Sequence, residues 1–172
     1  MRRGLVSTRQ EAQAVIAAGS VLVAGAPAEK ASRLVAPNEP VVLLGPASPF
    51  VSRGGQKLDA ALTRFAVPVA QRRALDAGAS TGGFTDCLLQ RGAARVYAVD
   101  VGHGQLDPRL RADPRVVVLE HRNARTMTAD DLRAADPAYE PVPLVVADLS
   151  FISLRSVVPA LCGPLSAPEA DL

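Results

Sequence analysis

The sequence predicts an α/β protein built on a doubly wound parallel sheet, preceded by a small α+β module. Two observations indicate the sheet. From Ala74 onward, short continuous apolar runs alternate with helical segments, which is typical of strands buried on both faces of a parallel sheet. Glycines and acidic residues follow these runs, where the strands would end. A third observation indicates the module: the first 46 residues show one helical segment followed by two short apolar runs.

The elements of the N-terminal module follow from local patterns. Thr8 and Glu11 form a capping-box pair that predicts the start of a helix. Apolar residues then recur at helical spacing, and Gly19 is placed to end the helix. Two short strands are expected at Val21–Val23 and Val41–Leu44. A unit of roughly 45 residues is only marginally stable alone.

The rest of the chain predicts a repeating strand–helix order. Domain boundaries are expected at 1–46 for the module, 47–56 for a linker with a Pro/Ser-rich start, and 57–172 for the α/β domain. The predicted strands are Ala74–Ala77, Ala94–Val99, Val116–Leu119 and Leu144–Ala147. The predicted helices run through Thr85–Arg91, which Gly92 ends, and lie near Leu106–Arg111 and Thr128–Ala135.

Composition limits the class of protein. No apolar run among the 172 residues reaches the ~18 residues that a membrane span needs, and no signal peptide is evident. Cys87 and Cys162 lie far apart, which favours a reducing cytoplasm over a disulfide framework, and no cluster has metal-ligand spacing. Between residues 1 and 57 there are seven basic and three acidic residues, a net charge of +4. This charge favours a polyanionic partner, although an ordinary solvated surface gives the same count.

The loop after the first large strand predicts a nucleotide-type ligand. Gly78, Gly82 and Gly83 permit close approach of a ligand to the backbone. Asp100 follows Asp76 at the spacing where nucleotide-binding folds offer a carboxylate to ribose hydroxyls. A nicotinamide dinucleotide site requires Gly-x-Gly-x-x-Gly, but position 80 is Ser. The acid before the first glycine favours a cationic ligand such as S-adenosylmethionine, with the nicotinamide cofactor as the alternative.

The segment after the fourth strand bears on the acceptor atom. Methyltransferases that act on exocyclic base amines commonly carry Asn/Asp-Pro-Pro-Tyr there. This chain has Asp148-Leu149-Ser150-Phe151, without prolines, which favours an oxygen nucleophile. Phe151 is expected either to stack on a base or to pack in the core.

The first module resembles the S4-type RNA-binding domain. The resemblance is carried by Arg3-Gly4-Leu5, Thr8-Arg9, Ala12-Gln13, Ile16, Gly19-Ser20-Val21 and Val23-Ala24-Gly25. It implies an RNA-facing surface on the helix and the following turn, with Arg3, Arg9 and Arg53 as candidate RNA contacts. The chain departs from the family in lacking its usual Arg-Leu-Asp start and in having Ala24 where Asn is usual.

The remainder resembles the TlyA family, whose members are historically named haemolysins and are similar to FtsJ-type ribose methyltransferases. The resemblance rests on four segments: residues 52–58, 76–86, 97–106 and 148–154. It implies a Rossmann-like class I methyltransferase fold that transfers methyl groups from S-adenosyl-L-methionine to ribose 2′-hydroxyls of ribosomal RNA, free or in ribosomal subunits. Lys57 and Asp148 match the first Lys and the Asp of a Lys-Asp-Lys-Glu catalytic tetrad. The implied donor-binding residues are Asp76, Gly78, Ser80, Thr81, Gly82, Gly83, Phe84, Asp100, Asn123 and Asp148.

The end of the sequence raises a separate expectation. The second Lys and the Glu of the tetrad match no residue, since Lys30 lies in the first module and Glu169 in a Pro/Ala-rich segment. The C-terminal strands of the sheet are therefore expected to be missing, with the fourth strand as an unprotected edge. The unmatched tetrad residues leave one alternative to the methyltransferase: a non-catalytic RNA-binding protein or an inactive fragment of such an enzyme. The family's old name suggests another, a membrane-active cytolysin.

Overall fold

The computed structural model describes residues 5–6, 8–44, 49–149 and 153–172. The chain forms two compact units, Met1–Ser48 and Pro49–Leu172. Arg3 of the predicted RNA contacts, and Phe151 of the acceptor segment, lie outside the described residues.

The first unit contains one helix and three antiparallel strands, which confirms the helix and both strands predicted there. Gly19 ends the helix with φ +69°, and its amide donates to the Ile16 carbonyl. The strand order is β2-β1-β3, and a small core forms around Val21, Val23 and Ala28. The elements are α1 (Arg9–Ala17), β1 (Val21–Val23), β2 (Ala26–Pro27) and β3 (Val41–Leu43).

Strands β1 and β2 are joined by a two-residue turn. Val23 pairs with Ala26, so Ala24 and Gly25 form the loop, with φ +49° and +82°. Two consecutive positive φ angles suit the twist of a hairpin and favour Asn-Gly at such positions. Ala24 therefore occupies a backbone conformation that favours the Asn usual in the resembling family.

The second unit is a parallel sheet with helices on both faces, as the sequence predicted, but the structure describes five strands rather than four. The strand order is β6-β5-β4-β7-β8, so the order reverses between β4 and β7. The elements are α2 (Arg53–Arg64), β4 (Arg73–Ala77), α3 (Gly83–Gln90), β5 (Arg95–Val99), α4 (Pro108–Arg111), β6 (Val116–Leu119), α5 (Ala129–Ala135), β7 (Val142–Ala147), α6 (Leu154–Leu161) and β8 (Ser166–Asp171).

Alternate side chains of the central strands pack into two apolar layers, one on each face of the sheet. In β5, Val96 and Ala98 join the layer formed with α2, α3 and α4, whereas Tyr97 and Val99 join the layer with α5 and α6. Each of these four side chains is buried. This two-sided burial explains why the strands read as continuous apolar runs rather than as alternating ones.

The expectation that the sheet stops at the fourth strand is wrong. Residues Ser166–Asp171 form β8, which pairs in parallel with β7 through Val142↔Ser166 and Leu144↔Asp171, with a register shift between them. Arg72 fastens the new strand by donating to Asp171 at 2.7 Å. The segment Ser-Ala-Pro-Glu-Ala-Asp lacks an apolar run because its outer side is not covered by another described strand, and such edges tolerate Pro and charge. Glu169, expected in a Pro/Ala-rich segment, is an exposed residue of this strand.

Two helices were not anticipated. Helix α2 begins at Arg53, inside the segment 47–56 expected as linker, and buries Gly55, Leu58 and Leu62. The sequence does not predict α2 because it contains adjacent glycines, and glycine disfavours helix interiors. Helix α6 contains Pro159, which argues against a helix in sequence patterns.

Two findings concern what the described residues do not contain. None of their helices combines the length and the apolarity that crossing a membrane requires. Nor do the described His, Cys, Asp and Glu side chains form a group of three or more that could hold a metal ion.

We expect Leu88→Ala to lower the free energy of unfolding by about 2–5 kcal/mol, since Leu88 is fully buried between α3 and the sheet and truncation leaves a cavity. Urea unfolding followed by tyrosine fluorescence reports on this unit alone, because Tyr97 and Tyr139 are the only tyrosines and there is no Trp. Leu172→Ala, at a residue 61% exposed, is the matched control and should change little. Equal stabilities of the two variants would contradict this assignment of the core.

Candidate functional site

The carboxyl ends of β4, β5 and β7 enclose a cavity of about 520 Å³. It lies where the strand order reverses, which is where open α/β sheets bind their ligands. Its volume is in the range of small-molecule sites. The lining residues are Gly78, Ser80, Val99, Asp100, Val101, Gln105, Arg122, Asn123, Ala124, Asp148, Leu149 and Val157.

A second cavity, of about 260 Å³, adjoins the first. The two share Gly78, Ser80 and Asp148. The smaller one extends toward the start of α2 and the start of α3. Its lining residues are Ser52, Gly54, Gly78, Ala79, Ser80, Thr81, Gly83, Phe84 and Asp148.

Asp76 lies beneath the cavities and is fully buried. Its Oδ2 accepts a hydrogen bond from the Thr85 hydroxyl at 2.7 Å, whereas Oδ1 has no partner among the described residues. Burial raises the pKa of Asp76 to about 7, the Thr85 hydrogen bonds oppose this rise, and the negative charges of Asp100 and Asp148 add to it. A buried carboxyl with one unpaired oxygen is costly unless it serves a ligand or holds a proton.

Asp100 organises the backbone at the mouth of the larger cavity. Its Oδ2 accepts from the Ser80 amide and its Oδ1 from the Gly102 amide, both at 2.7 Å. The carboxylate therefore ties the loop after β4 to the loop after β5. Ser80 adopts φ +48°, a conformation that non-glycine residues seldom adopt and that is concentrated at ligand sites.

Lys57 and Asp148 meet beside the smaller cavity. Lys57 Nζ donates to Asp148 Oδ1 at 2.7 Å and lies 5.9 Å from the centre of the Phe84 ring. The side chains are 64% and 47% exposed, so the ion pair adds little stability. The ion pair matters because it joins α2 to the end of β7 at the edge of both cavities.

Close backbone contacts fix the glycine-rich loop and α2 against each other. A side-chain carbon at Gly78 (φ +88°) would lie 2.8 Å from the Asp148 carbonyl oxygen. One at Gly83 would clash with the Ser52 hydroxyl and lie 2.9 Å from the Gly55 amide nitrogen. The loop after β4 can therefore approach both β7 and α2 only because these positions carry no side chain.

Polar contacts from α3 hold α2 in place. Asp86 accepts from the Val51 amide at 2.8 Å, just before α2 begins. Farther along the helix, Arg91 donates to the Asp59 carboxylate at 2.7 Å and to the Asp59 carbonyl at 2.9 Å. Lys57 lies on the helix segment between these two attachments.

Most of the residues predicted for the site come together. Gly78, Ser80, Asp100, Asn123 and Asp148 line the larger cavity, and Thr81, Gly83 and Phe84 line the smaller one. Asp76 lies below, and Gly82 instead caps α3 with φ +96° and faces Leu106 and Leu110.

The predicted RNA contacts are spread along the chain. Arg9 is exposed on α1 in the first unit, and Arg53 is exposed at the start of α2. Sequence reasoning did not single out Ser52, Thr85, Gln105 or Arg122 for this site. Thr85, in the motif after Asp76, is the one whose spacing could have indicated a contact, because the first turn of α3 returns toward the strand that it follows.

Comparison with known proteins agrees with this geometry. Residues 50–168 match the FtsJ-like methyltransferase family, and residues 2–41 match the S4 domain. The whole chain is 51% identical to "16S/23S rRNA (cytidine-2′-O)-methyltransferase TlyA" of Mycobacterium tuberculosis, covering 62% of that protein. It is 39% identical to "Hemolysin A" of Brachyspira hyodysenteriae, over 96% of the chain and 67% of that protein.

A solved structure shares the architecture. A hemolysin-named protein from Streptococcus thermophilus superposes with a TM-score of 0.68 at 38% identity, over 96% of this chain and 59% of that one. The chain thus spans about three fifths of the length of the Mycobacterium tuberculosis relative.

We expect Asp76→Asn to stabilise the protein increasingly as pH rises from about 5 to 7. The folded-state pKa of Asp76, about 7, lies above the unfolded value of 3.8, so the stability that its protonated form confers is complete below pH ~4 and is lost as pH rises toward 7. The neutral amide avoids that loss, which amounts to about 1.4 kcal/mol per pH unit and on the order of 4 kcal/mol in total.

Urea unfolding at several pH values, followed by tyrosine fluorescence, tests this. The control is Asp113→Asn, because Arg115 holds the pKa of Asp113 below its usual value and its effect should be constant above pH 5. Suppose that the difference in the free energy of unfolding between Asp76→Asn and the wild type does not change between pH 5 and 8. Asp76 is then ionised throughout this range, and the prediction is wrong.

Proposed function

We infer that this chain, which belongs to the FtsJ-like methyltransferase family, transfers a methyl group from S-adenosylmethionine to a ribose 2′-hydroxyl of ribosomal RNA. The observation that carries this proposal is the Lys57–Asp148 pair, placed where two adjoining cavities meet. One cavity has the size and the carboxylates for the donor. The other is open beside a positive charge and suits the acceptor.

The donor cavity fits S-adenosylmethionine by its charge. Asp76, Asp100 and Asp148 cluster closely enough that the latter two raise the pKa of the first. A ligand with a sulfonium and an ammonium group relieves this repulsion, whereas a pyrophosphate would add to it. The unpaired Oδ1 of Asp76 and the side-chain-free Gly78 give the ligand an acceptor and room for close approach. We assign ribose recognition to Asp100 and the adenine side of the cavity to Val101, Asn123 and Ala124.

When bound, S-adenosylmethionine supplies a methyl carbon that its sulfonium has already activated. The protein must align the acceptor oxygen and manage its proton. As the carbon–oxygen bond forms and the carbon–sulfur bond breaks, the hydroxyl must lose its proton. The ammonium of Lys57 cannot accept that proton, which passes to solvent water. We place Lys57 at the acceptor oxygen, where its charge stabilises the developing negative charge, and Asp148 as the group that orients Lys57. Phe84 gives the stem and ammonium of Lys57 an aromatic neighbour.

The relatives support an oxygen acceptor in RNA. The Mycobacterium tuberculosis relative is named for cytidine 2′-O-methylation of 16S and 23S rRNA, and this chain also matches the S4 domain. In the first unit, a cavity of about 470 Å³ is lined by Arg9, Gln13, Lys30 and Ser32, among others. Two cations beside polar side chains in one groove suit a phosphodiester backbone. We therefore propose ribosomal RNA as the partner of this unit.

We expect Lys57→Ala to lower the rate of methyl transfer by about 100- to 1,000-fold, because the cation that stabilises the developing charge on the acceptor oxygen is removed. The assay uses methyl-labelled S-adenosylmethionine and unmodified ribosomal subunits, followed by digestion to nucleosides. Label in a 2′-O-methyl nucleoside supports the function. Arg64→Ala, at the far end of the same helix, is the control and should keep its activity.

Other results would point elsewhere. Label in base amines would exclude a ribose acceptor. RNA binding without any transfer by the wild-type chain would favour a non-catalytic RNA-binding protein. Calorimetry separates a loss of catalysis from a loss of donor binding, since Lys57→Ala keeps all three carboxylates and should bind S-adenosylmethionine at least as tightly as the wild type does.

We expect Arg9→Ala combined with Lys30→Ala to weaken RNA binding at all sequences and to flatten its salt dependence. Removing two phosphate contacts should reduce the slope of log affinity against log salt by about 1–2. The matched control is Arg33→Ala, whose guanidinium pairs with Glu39 at 2.7 Å. An unchanged slope in the double variant would exclude this groove as a phosphate site.

A further inference from the structure

A pair of stacked histidines lies beside the larger cavity and has no role in the proposed reaction. The rings of His103 and His121 are inclined by 15° with centroids 4.9 Å apart. His103 follows β5 and His121 follows β6. The same two loops contribute Asp100, Gln105 and Asn123 to the cavity lining.

Hydrogen bonds and an ion pair position the stack. Glu120 accepts from the Gly104 amide at 2.8 Å and lies 2.9 Å from His103 Nδ1. Arg111 forms an ion pair with the same carboxylate. The His121 amide donates to the Gly102 carbonyl at 3.3 Å, and His121 itself has φ +56°, an uncommon conformation outside glycine. These contacts fix the plane of the His103 ring.

One face of that ring is open. His121 covers one side, yet the His103 side chain is 70% exposed, so the opposite face meets solvent. A flat ring that is fixed in orientation and backed by a second ring offers a surface on which another planar group can stack at little entropic cost.

The surroundings carry positive charge. Residues 101–125 contain five arginines and three acidic residues, a net charge of +2 with both histidines neutral. Arg109, paired with Asp107 at 3.1 Å, is 77% exposed. Arg122, paired with Asp131 at 3.4 Å, is 52% exposed and also lines the cavity. Stacking surfaces with nearby cations are the means by which proteins bind single-stranded nucleic acid without base-edge recognition.

We propose that His103, supported by His121, forms a platform on which an unpaired nucleobase of the RNA stacks. The inference rests on the proposed function in that it takes RNA as the ligand. Because bases in single strands and loops can be splayed out whereas those in a duplex cannot, the platform favours single-stranded RNA. It thereby adds an RNA contact next to the donor cavity to those of the first unit.

The test measures binding of a fluorescein-labelled 12-nucleotide single-stranded RNA, and of its duplex, to the full chain. We expect His103→Ala to weaken single-strand binding about 10-fold and to leave duplex binding unchanged. His103→Phe, which keeps a flat ring, should restore it. Phe65→Ala is the matched control, since Phe65 is an aromatic residue of the same unit that is 73% exposed and lies away from the stack.

Three results would overturn the platform. Wild-type affinity in His103→Ala would show that the ring does not contact RNA. Equal loss in His103→Ala and His103→Phe would assign the effect to the imidazole–Glu120 contact instead of stacking. A parallel loss of S-adenosylmethionine affinity in His103→Ala would show that the ring only supports the loops.

The binding test is independent of turnover. Absence of methyl transfer by the wild-type chain, with the single-strand effect intact, would overturn the proposed reaction and leave the platform standing. Methyl transfer by the wild-type chain, with RNA binding unchanged in His103→Ala, would support the proposed reaction and overturn the platform.

Discussion

The parallel pairing of β4 with both β5 and β7 is the constraint on which the site depends. In this register Asp76 stands level with Ala98 and Val146, so the three strands end together. Asp100 and Asp148 follow immediately after the two outer ones. Any shift in register would separate the carboxylates and disconnect the two cavities. The buried apolar layers on both faces of the sheet hold this register in place.

The clustering of three carboxylates costs the free protein stability. A buried acid with an unpaired oxygen is retained in natural proteins mainly where a ligand or a proton completes it. The charges of Asp100 and Asp148 are less costly, because one is bonded to two backbone amides and the other to Lys57. The arrangement therefore separates two tasks. Asp100 positions the loops by accepting from backbone amides. Asp148 forms an ion pair with Lys57 and so contacts helix α2.

The sequence predicted the parts of the fold that local patterns determine. Apolar runs predicted β4 to β7, and Gly19 and Gly92 predicted where α1 and α3 end. It failed for α2, where Gly54 and Gly55 resemble a linker, although the start of this helix packs closely against Gly83. It failed again for β8, whose residues Ser-Ala-Pro-Glu-Ala-Asp show no strand pattern and which no other described strand covers on its outer side. Both failures have one cause: the decisive interaction is tertiary and leaves no periodic trace along the chain.

The site residues divide in the same way. Gly78, Asp100 and Asp148 were predictable because they follow strands, and strand ends converge by topology. Lys57 was predictable only through family resemblance, since nothing in its surrounding residues indicates that it reaches a strand 91 positions away. The pairing of His103 with His121 was likewise invisible, because two loops on adjacent strands bring the rings together.

The contact between Gly55 and Gly83 restricts how this protein can diverge. A side-chain carbon at either position meets its surroundings: Phe50 at position 55, and Ser52 and the backbone of α2 at position 83. A side chain at Gly83 would displace the start of α2, which carries Lys57, and one at Gly55 would displace Phe50, just before α2. Both positions are thus expected to be nearly invariant among active homologues, Gly55 for packing alone and Gly83 also because it lines the smaller cavity. Relatives that have lost transfer activity should be the first in which either glycine varies.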